Sequence, residues 1–178
     1  MGSAGSRQQQ LRISLQRHAV RFGDEDASGL FQCYDHSTYR PHKACLMPAD
    51  NDLLTAAQKV RENAHAPYSG FRVGAAIRSA GGIYTGCNVE NASFPEGICA
   101  EGGAITSMVA AGDTQILDVL IYAEADTPVA PCGGCRQKLA EFAVPETQVS
   151  LANGAGVQVV MTMEELLPAA FSLKRATD

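Results

Sequence analysis

The run ILDVLIYAEA, from Ile116 to Ala125, constrains the fold of this chain more than any other stretch. Between Val119 and Ala123 every side chain is apolar, so no alternation separates a wet face from a dry one. A strand of that kind belongs inside a sheet that is covered on both sides. Helices are the usual cover, and the flanking sequence supplies them. NDLLTAAQKVRENA places Leu53, Leu54, Ala57 and Val60 at helical spacing behind a cap at Asn51 or Asp52. FRVGAAIRSAGGIYTGCNVE reads as two strands around a Gly81–Gly82 turn. A helix is expected from Cys99 to Ala111, stopped by Gly112, and a second in CRQKLAEFA. QVSLAN and VQVVMT form another strand pair around Gly154 and Gly156, and MEELLPAAF closes the chain as a short helix. The order helix, hairpin, helix, strand, helix, hairpin predicts an α/β layered domain with a mixed sheet.

Residues 1–50 differ from the rest and are expected to be a flexible extension, leaving 51–178 as the folded domain. Arg7, Arg12, Arg17 and Arg21 precede the first acid, Asp24, which permits an organellar targeting leader without establishing one. Cys33, His36, His42 and Cys45 lack the paired short spacing of metal fingers and are expected in a solvated loop. The net charge of −5 offers no basic face for nucleic acid. No apolar run approaches the roughly 18 residues that cross a bilayer. Six cysteines with no apolar secretory segment ahead of them favour a reducing, cytoplasmic setting and thiolate or metal chemistry.

Three of those cysteines stand where helices begin. Cys99 opens one helix, and Cys132 with Cys135 opens the next in the run APCGGCRQ. A C-x-x-C pair at a helix start sets its sulfurs about one turn apart, and the helix N-terminus favours thiolate over thiol. Two such helices side by side would aim three thiolates at one tetrahedral Zn²⁺, leaving the fourth position for water. Glu101, two residues beyond the first cysteine, is placed to carry that water's proton. Each part has a plainer reading: Cys99 as a packed thiol, CGGC as a redox or structural-zinc dithiol, Glu101 as a first-turn helix carboxylate. The three together favour a catalytic site.

The C-A-E and P-C-G-G-C-R-Q pieces resemble the signature of the zinc-dependent nucleoside deaminases. With APYSGFRVGAAI, NVENASFPEGICAE and EELLPAAF they resemble cytidine deaminase of the small, homotetrameric type, over about Asn51 to Leu173. The resemblance implies a three-layer fold with a mixed five-stranded sheet flanked by helices. It implies one Zn²⁺ per chain on Cys99, Cys132 and Cys135, with Glu101 as proton shuttle. Asn88 and Glu90 would hold the ribose hydroxyls, and Phe71 would pack on the nucleoside. Phe94 stands near the substrate where many relatives have Tyr, and the backbone at Ala100 would read the pyrimidine edge. Phe171 would enter a neighbouring subunit's site. The implied reaction is hydrolysis of cytidine and 2′-deoxycytidine to the uridines, a pyrimidine-salvage step. A blasticidin-S-type aminonucleoside deaminase and a non-catalytic zinc or redox C-x-x-C protein are the alternatives.

The sequence also departs from that family's pattern. Gly102 follows C-A-E where an Arg is common, and Gly70 replaces a frequent His. Three thiolates on Zn²⁺ carry a net −1, which the two helix dipoles and Arg136 would offset. Gly102 and Gly103 are expected to be required for close packing, since helix glycines cost roughly 1 kcal/mol each. Cys87 is expected as a strand thiol, and Asp113, Asp118, Glu124 and Asp126 as solvated charges.

Overall fold

The computed structural model describes residues 51–156 and 158–173, together with the backbone of two short strands, β1 (Cys33–Asp35) and β2 (Arg40–His42). These two pair antiparallel with Cys33 opposite His42, where the sequence reading expects a loop. Pairing satisfies backbone groups that a loop would leave to water. The Arg-rich leader, His36 and Cys45 lie outside the described residues.

The domain core follows the predicted order. Helix α1 spans Asn51–Arg61, and strands β3 (Val73–Ser79) and β4 (Gly82–Cys87) form the first hairpin. Helix α2 (Ala100–Ala110) precedes β5 (Asp118–Ala123), which is followed by helix α3 (Gly133–Ala140). Strands β6 (Gln148–Asn153) and β7 (Gln158–Thr162) and helix α4 (Met163–Leu166) complete it. One five-stranded sheet runs in the order β4-β3-β5-β6-β7. The β5–β6 pair is parallel and the other three pairs are antiparallel, so the sheet is mixed.

β5 occupies the centre, as its unbroken apolar run requires. Its odd residues, Val119 and Ile121, join a core with Ala75, Ile77, Ala104, Met108 and Leu139 on the α2–α3 side. Its even residues, Leu120 and Tyr122, meet Leu53, Ala57, Ala76 and Ala152 on the α1 side. Three layers result, helix–sheet–helix.

Glycines let both helix layers approach the sheet. A Cβ on Gly74 would sit 2.0 Å from the Ala57 carbonyl oxygen, and one on Gly86 would sit 2.2 Å from the Ala104 nitrogen. On α2 the expectation is corrected: a Cβ on Gly102 would meet its nearest neighbour, Lys138 Nζ, at 3.7 Å, and one on Gly103 would meet Gly86 at 3.4 Å. The close approach is required by the strand's Gly86 rather than by the helix pair.

Two further differences have local causes. The closing helix stops at Leu166 rather than reaching Phe171, because Pro168 disfavours helical backbone at Leu167, whose φ and ψ are −140° and 74°. Asp113 is no free charge: it accepts from the Gly81 N–H at 2.9 Å and the Tyr84 hydroxyl at 2.8 Å, fastening the β3–β4 turn. The Tyr84 bond, then the Gly81 amide, hold its carboxyl below the usual range. Among the described residues, no helix is long and apolar enough to cross a membrane.

Candidate active site

Register places the start of β3 beside the ends of its two neighbours, since Val73 pairs with Ala123 and Gly74 with Cys87. The chain leaving β4 turns into α2, and the chain leaving β5 turns into α3, so both helices begin at this one edge of the sheet. Clefts at the carboxyl ends of strands are the usual ligand sites of α/β sheets. Cys99 is the N-cap of α2, with φ −75° and ψ 154°; Cys132 is the N-cap of α3, with φ −63° and ψ 163°. Cys135 lies in the first turn of α3 and is 1% exposed.

The three sulfurs converge. All lie within 4.8 Å of one another, and Cys99 Sγ is 4.0 Å from Cys132 Sγ. A tetrahedral zinc with Zn–S bonds of about 2.3 Å sets its sulfurs about 3.8 Å apart, and the 4.0 Å between Cys99 and Cys132 lies near that spacing. Cys87, the other free cysteine among the described residues, stays outside it. A redox or structural dithiol built on CGGC alone leaves the placement of Cys99 without a reason.

The backbone N–H of Cys135 holds the Cys132 thiol below its ordinary value. Burial raises Cys99, and the charges of Cys132 and Glu101 add to the rise. Cys135 is pushed far above the thiol range by burial first, then by the charges of Glu101 and Cys99. Burial thus favours the neutral thiol at Cys99 and Cys135, and three thiolates beside the Glu101 carboxylate would need a counter-charge of the kind a divalent metal supplies. Arg136 is engaged elsewhere: its Nε donates to the Pro131 carbonyl at 2.8 Å and its Nη1 to the Leu166 carbonyl at 3.1 Å.

Glu101, in the first turn of α2, is 5% exposed, and among the described residues no hydrogen bond holds its carboxylate. It lines a cavity of about 640 Å³ together with Cys99, Ala100 and Cys132, a volume suited to a small ligand. Asn88, Glu90, Phe71 and Phe94 line the same cavity. Asn88 Oδ1 accepts from the Val73 N–H at 2.8 Å, and its Nδ2 donates to the Phe71 carbonyl at 2.8 Å. Phe94 sits on a 3-10 turn, Phe94–Glu96, and is 77% exposed. Phe171 does not reach this cavity; it is 68% exposed, and its carbonyl accepts from Gln137 Nε2 at 2.9 Å.

Comparison with known proteins supplies the family. Residues 47–151 match the model of the cytidine and deoxycytidylate deaminase zinc-binding region, a span that contains all three clustered cysteines and Glu101. This chain belongs to that deaminase family. It is 39% identical to a cytidine deaminase of Halalkalibacterium halodurans, over 71% of this chain and 96% of the relative. A cytidine deaminase of Sporosarcina psychrophila is 41% identical over 67% of this chain and 89% of its own length. The fold is similar to the crystal structure of cytidine deaminase from Burkholderia pseudomallei, with a TM-score of 0.66 and 42% identity over 68% of this chain and 98% of that one. The Mycobacterium tuberculosis cytidine deaminase structure gives 0.61 and 33%, over 69% and 97%. The deaminase family's cofactor is zinc, and the Cys99–Cys132–Cys135 cluster fits it in donor type and spacing.

Tyr68 and Ser69 are among the cavity residues that sequence reasoning about this deaminase missed. Tyr68 meets Phe94 edge-to-face, with ring centroids 6.1 Å apart and an interplanar angle of 71°. Both residues stand in the quoted P-Y-S run, and that Pro-led loop signal was the only available pointer.

Proposed function

We propose that this chain hydrolyses cytidine and 2′-deoxycytidine to uridine and 2′-deoxyuridine with release of ammonia, with Cys99, Cys132 and Cys135 as its zinc ligands. The carrying observation is the trio of sulfurs within 4.8 Å of one another, beside Glu101, which is 5% exposed and lines the cavity. Zinc, when held there, acidifies a water at its open position. Glu101 accepts one proton of the attacking water and passes it to ring N3. It then takes the proton of the hydroxyl now bonded to C4 and delivers it to the amine, which leaves as ammonia as the C4–N bond breaks and C4=O forms. Asn88 and Glu90 take the sugar hydroxyls. The Asn88 amide retains a second N–H and a second lone pair after its bonds to Phe71 and Val73. Phe71 and Phe94 pack on the nucleoside, and the Ala100 backbone reads the pyrimidine edge.

The assembly is a homotetramer whose subunits exchange Phe171. Its 68% exposure, and the 78% exposure of Leu173, leave apolar surface for a neighbour to cover. The enzyme serves pyrimidine salvage in the cytoplasm. Residues 1–50 form an extension to a catalytic domain at 51–178, a division supported by the start of the family match at residue 47.

The test is loss of cytidine ultraviolet absorbance with purified protein, before and after zinc chelation. Turnover that stops with the chelator and returns with zinc supports the reading. Turnover indifferent to metal, or absent from metal-loaded protein on every pyrimidine nucleoside offered, contradicts it.

A further inference from the structure

The loop from His65 to Phe71 approaches the end of β4 through a set of polar contacts that converge on one carboxylate. Glu90 Oε2 accepts the backbone N–H of Tyr68 at 2.8 Å and that of Ser69 at 3.2 Å. The Ser69 hydroxyl hydrogen-bonds Glu90 Oε1, and its oxygen accepts the Phe71 N–H at 3.0 Å. A hydroxyl has one proton to give, so the direction of this chain is settled: Phe71 N–H to Ser69, Ser69 O–H to Glu90. On the far side the loop is closed by the Gly70 N–H on the Ala66 carbonyl at 3.0 Å, with Gly70 at φ +70°. Residues Tyr68, Ser69, Phe71 and Glu90 all line the cavity.

We propose that Ser69 is a positioning residue for sugar recognition, clasping the Glu90 carboxylate to the backbone of Phe71 so that the anion and the aromatic wall are set as one unit. The proposal rests on Glu90 accepting a sugar hydroxyl, as put forward above. A carboxylate offers about four acceptor positions, and the loop fills three of them. The remaining one is left for a ligand in the cavity that Glu90 lines, on a carboxylate that does not have to reorganise when the ligand arrives. Charge-assisted bonds of this type are the stronger ones, and they favour the ionised form. The Ser69 hydroxyl is the largest cause holding the Glu90 carboxyl below its ordinary value, ahead of the Tyr68 amide; among the described residues His65 is the titratable group that adds to the effect. Among small uncharged side chains a hydroxyl is what both donates strongly to Oε1 and accepts from Phe71. Alanine does neither, and threonine does both.

The experiment compares steady-state kinetics of zinc-loaded Ser69→Ala, Ser69→Thr and Glu90→Gln on cytidine across pH. Ser69→Ala is expected to raise KM by roughly three- to tenfold, the net worth of one ordinary hydrogen bond, because Ser69 acts on the sugar only through Glu90, with kcat within about twofold. The acid limb of its KM profile moves to higher pH, because Glu90 loses the bond that keeps it ionised. Ser69→Thr restores both. The double variant Ser69→Ala, Glu90→Gln is no worse than Glu90→Gln alone, since Ser69 acts through that carboxylate. A wild-type KM in Ser69→Ala, with KM raised in Glu90→Gln, overturns the clasp alone. An unchanged KM in Glu90→Gln overturns the clasp and the sugar role together. Equal damage from Ala and Thr, or a fall in kcat without a KM change, also overturns it.

Discussion

The two ends of the cavity are built by different means. At the sulfur end, Cys99, Cys132 and Cys135 ride on the starts of α2 and α3, whose positions follow from strand order and two helix N-caps. At the rim, Tyr68, Phe71 and Phe94 sit on irregular segments and are 58%, 39% and 77% exposed. There the backbone is held by side chains distant in sequence: Asn88 on Val73 and Phe71, Glu90 on Tyr68 and Ser69. Helix starts aim chemistry, and polar clasps aim recognition. Disturbing the first should cost metal and turnover, whereas disturbing the second should cost binding.

The largest effect is expected at the sulfur end. Cys135→Ser should reduce zinc from one per chain to near zero and take turnover to background, while Cys87→Ala keeps both. Metal analysis and the ultraviolet assay check the pair, and full zinc occupancy in Cys135→Ser would break the comparison there. Next comes the packing beneath that end. Gly86→Ala forces a Cβ to within 2.2 Å of the Ala104 nitrogen, so α2 must shift. A loss of about 1–3 kcal/mol is expected in denaturant unfolding, accompanied by weaker zinc retention. Gly102→Ala is the contrast, because its Cβ meets only ordinary contacts. It should gain up to about 1 kcal/mol from helix propensity. The smallest effect belongs to the rim. Tyr68→Ala removes the edge-to-face partner of Phe94 and should raise KM by roughly two- to tenfold. Zinc content should not change, and a loss of zinc would merge the two ends into one unit.

The sulfur end was legible because its information is local. A cysteine at each helix start, with one carboxylate two residues on, specifies a direction as soon as the helices are placed. The central position of β5 was legible for a similar reason, since Val119 to Ala123 cannot face water on either side. The rim was not legible as a structure. The contact of Ser69 with Glu90 spans twenty-one positions and that of Asn88 with Val73 fifteen, and nothing in either segment announces its partner. Asp113 reads as a solvated charge for the same reason, because its partners Gly81 and Tyr84 lie on another element. The closing helix was read too long because its apolar spacing outweighed Pro168, which ends it. Gly102 and Gly103 drew the packing argument that belongs to Gly86, since a sequence does not say which of two surfaces in contact must give way.

The account depends most on a carboxylate that moves protons beside a metal it does not ligate. Glu101→Gln preserves the shape and removes the proton acceptor, so zinc content and turnover on cytidine should be measured on the same preparation. One zinc per chain with turnover lowered by roughly 10²–10⁴-fold or more is the predicted result. Near-normal turnover, or loss of the zinc along with the activity, would contradict it.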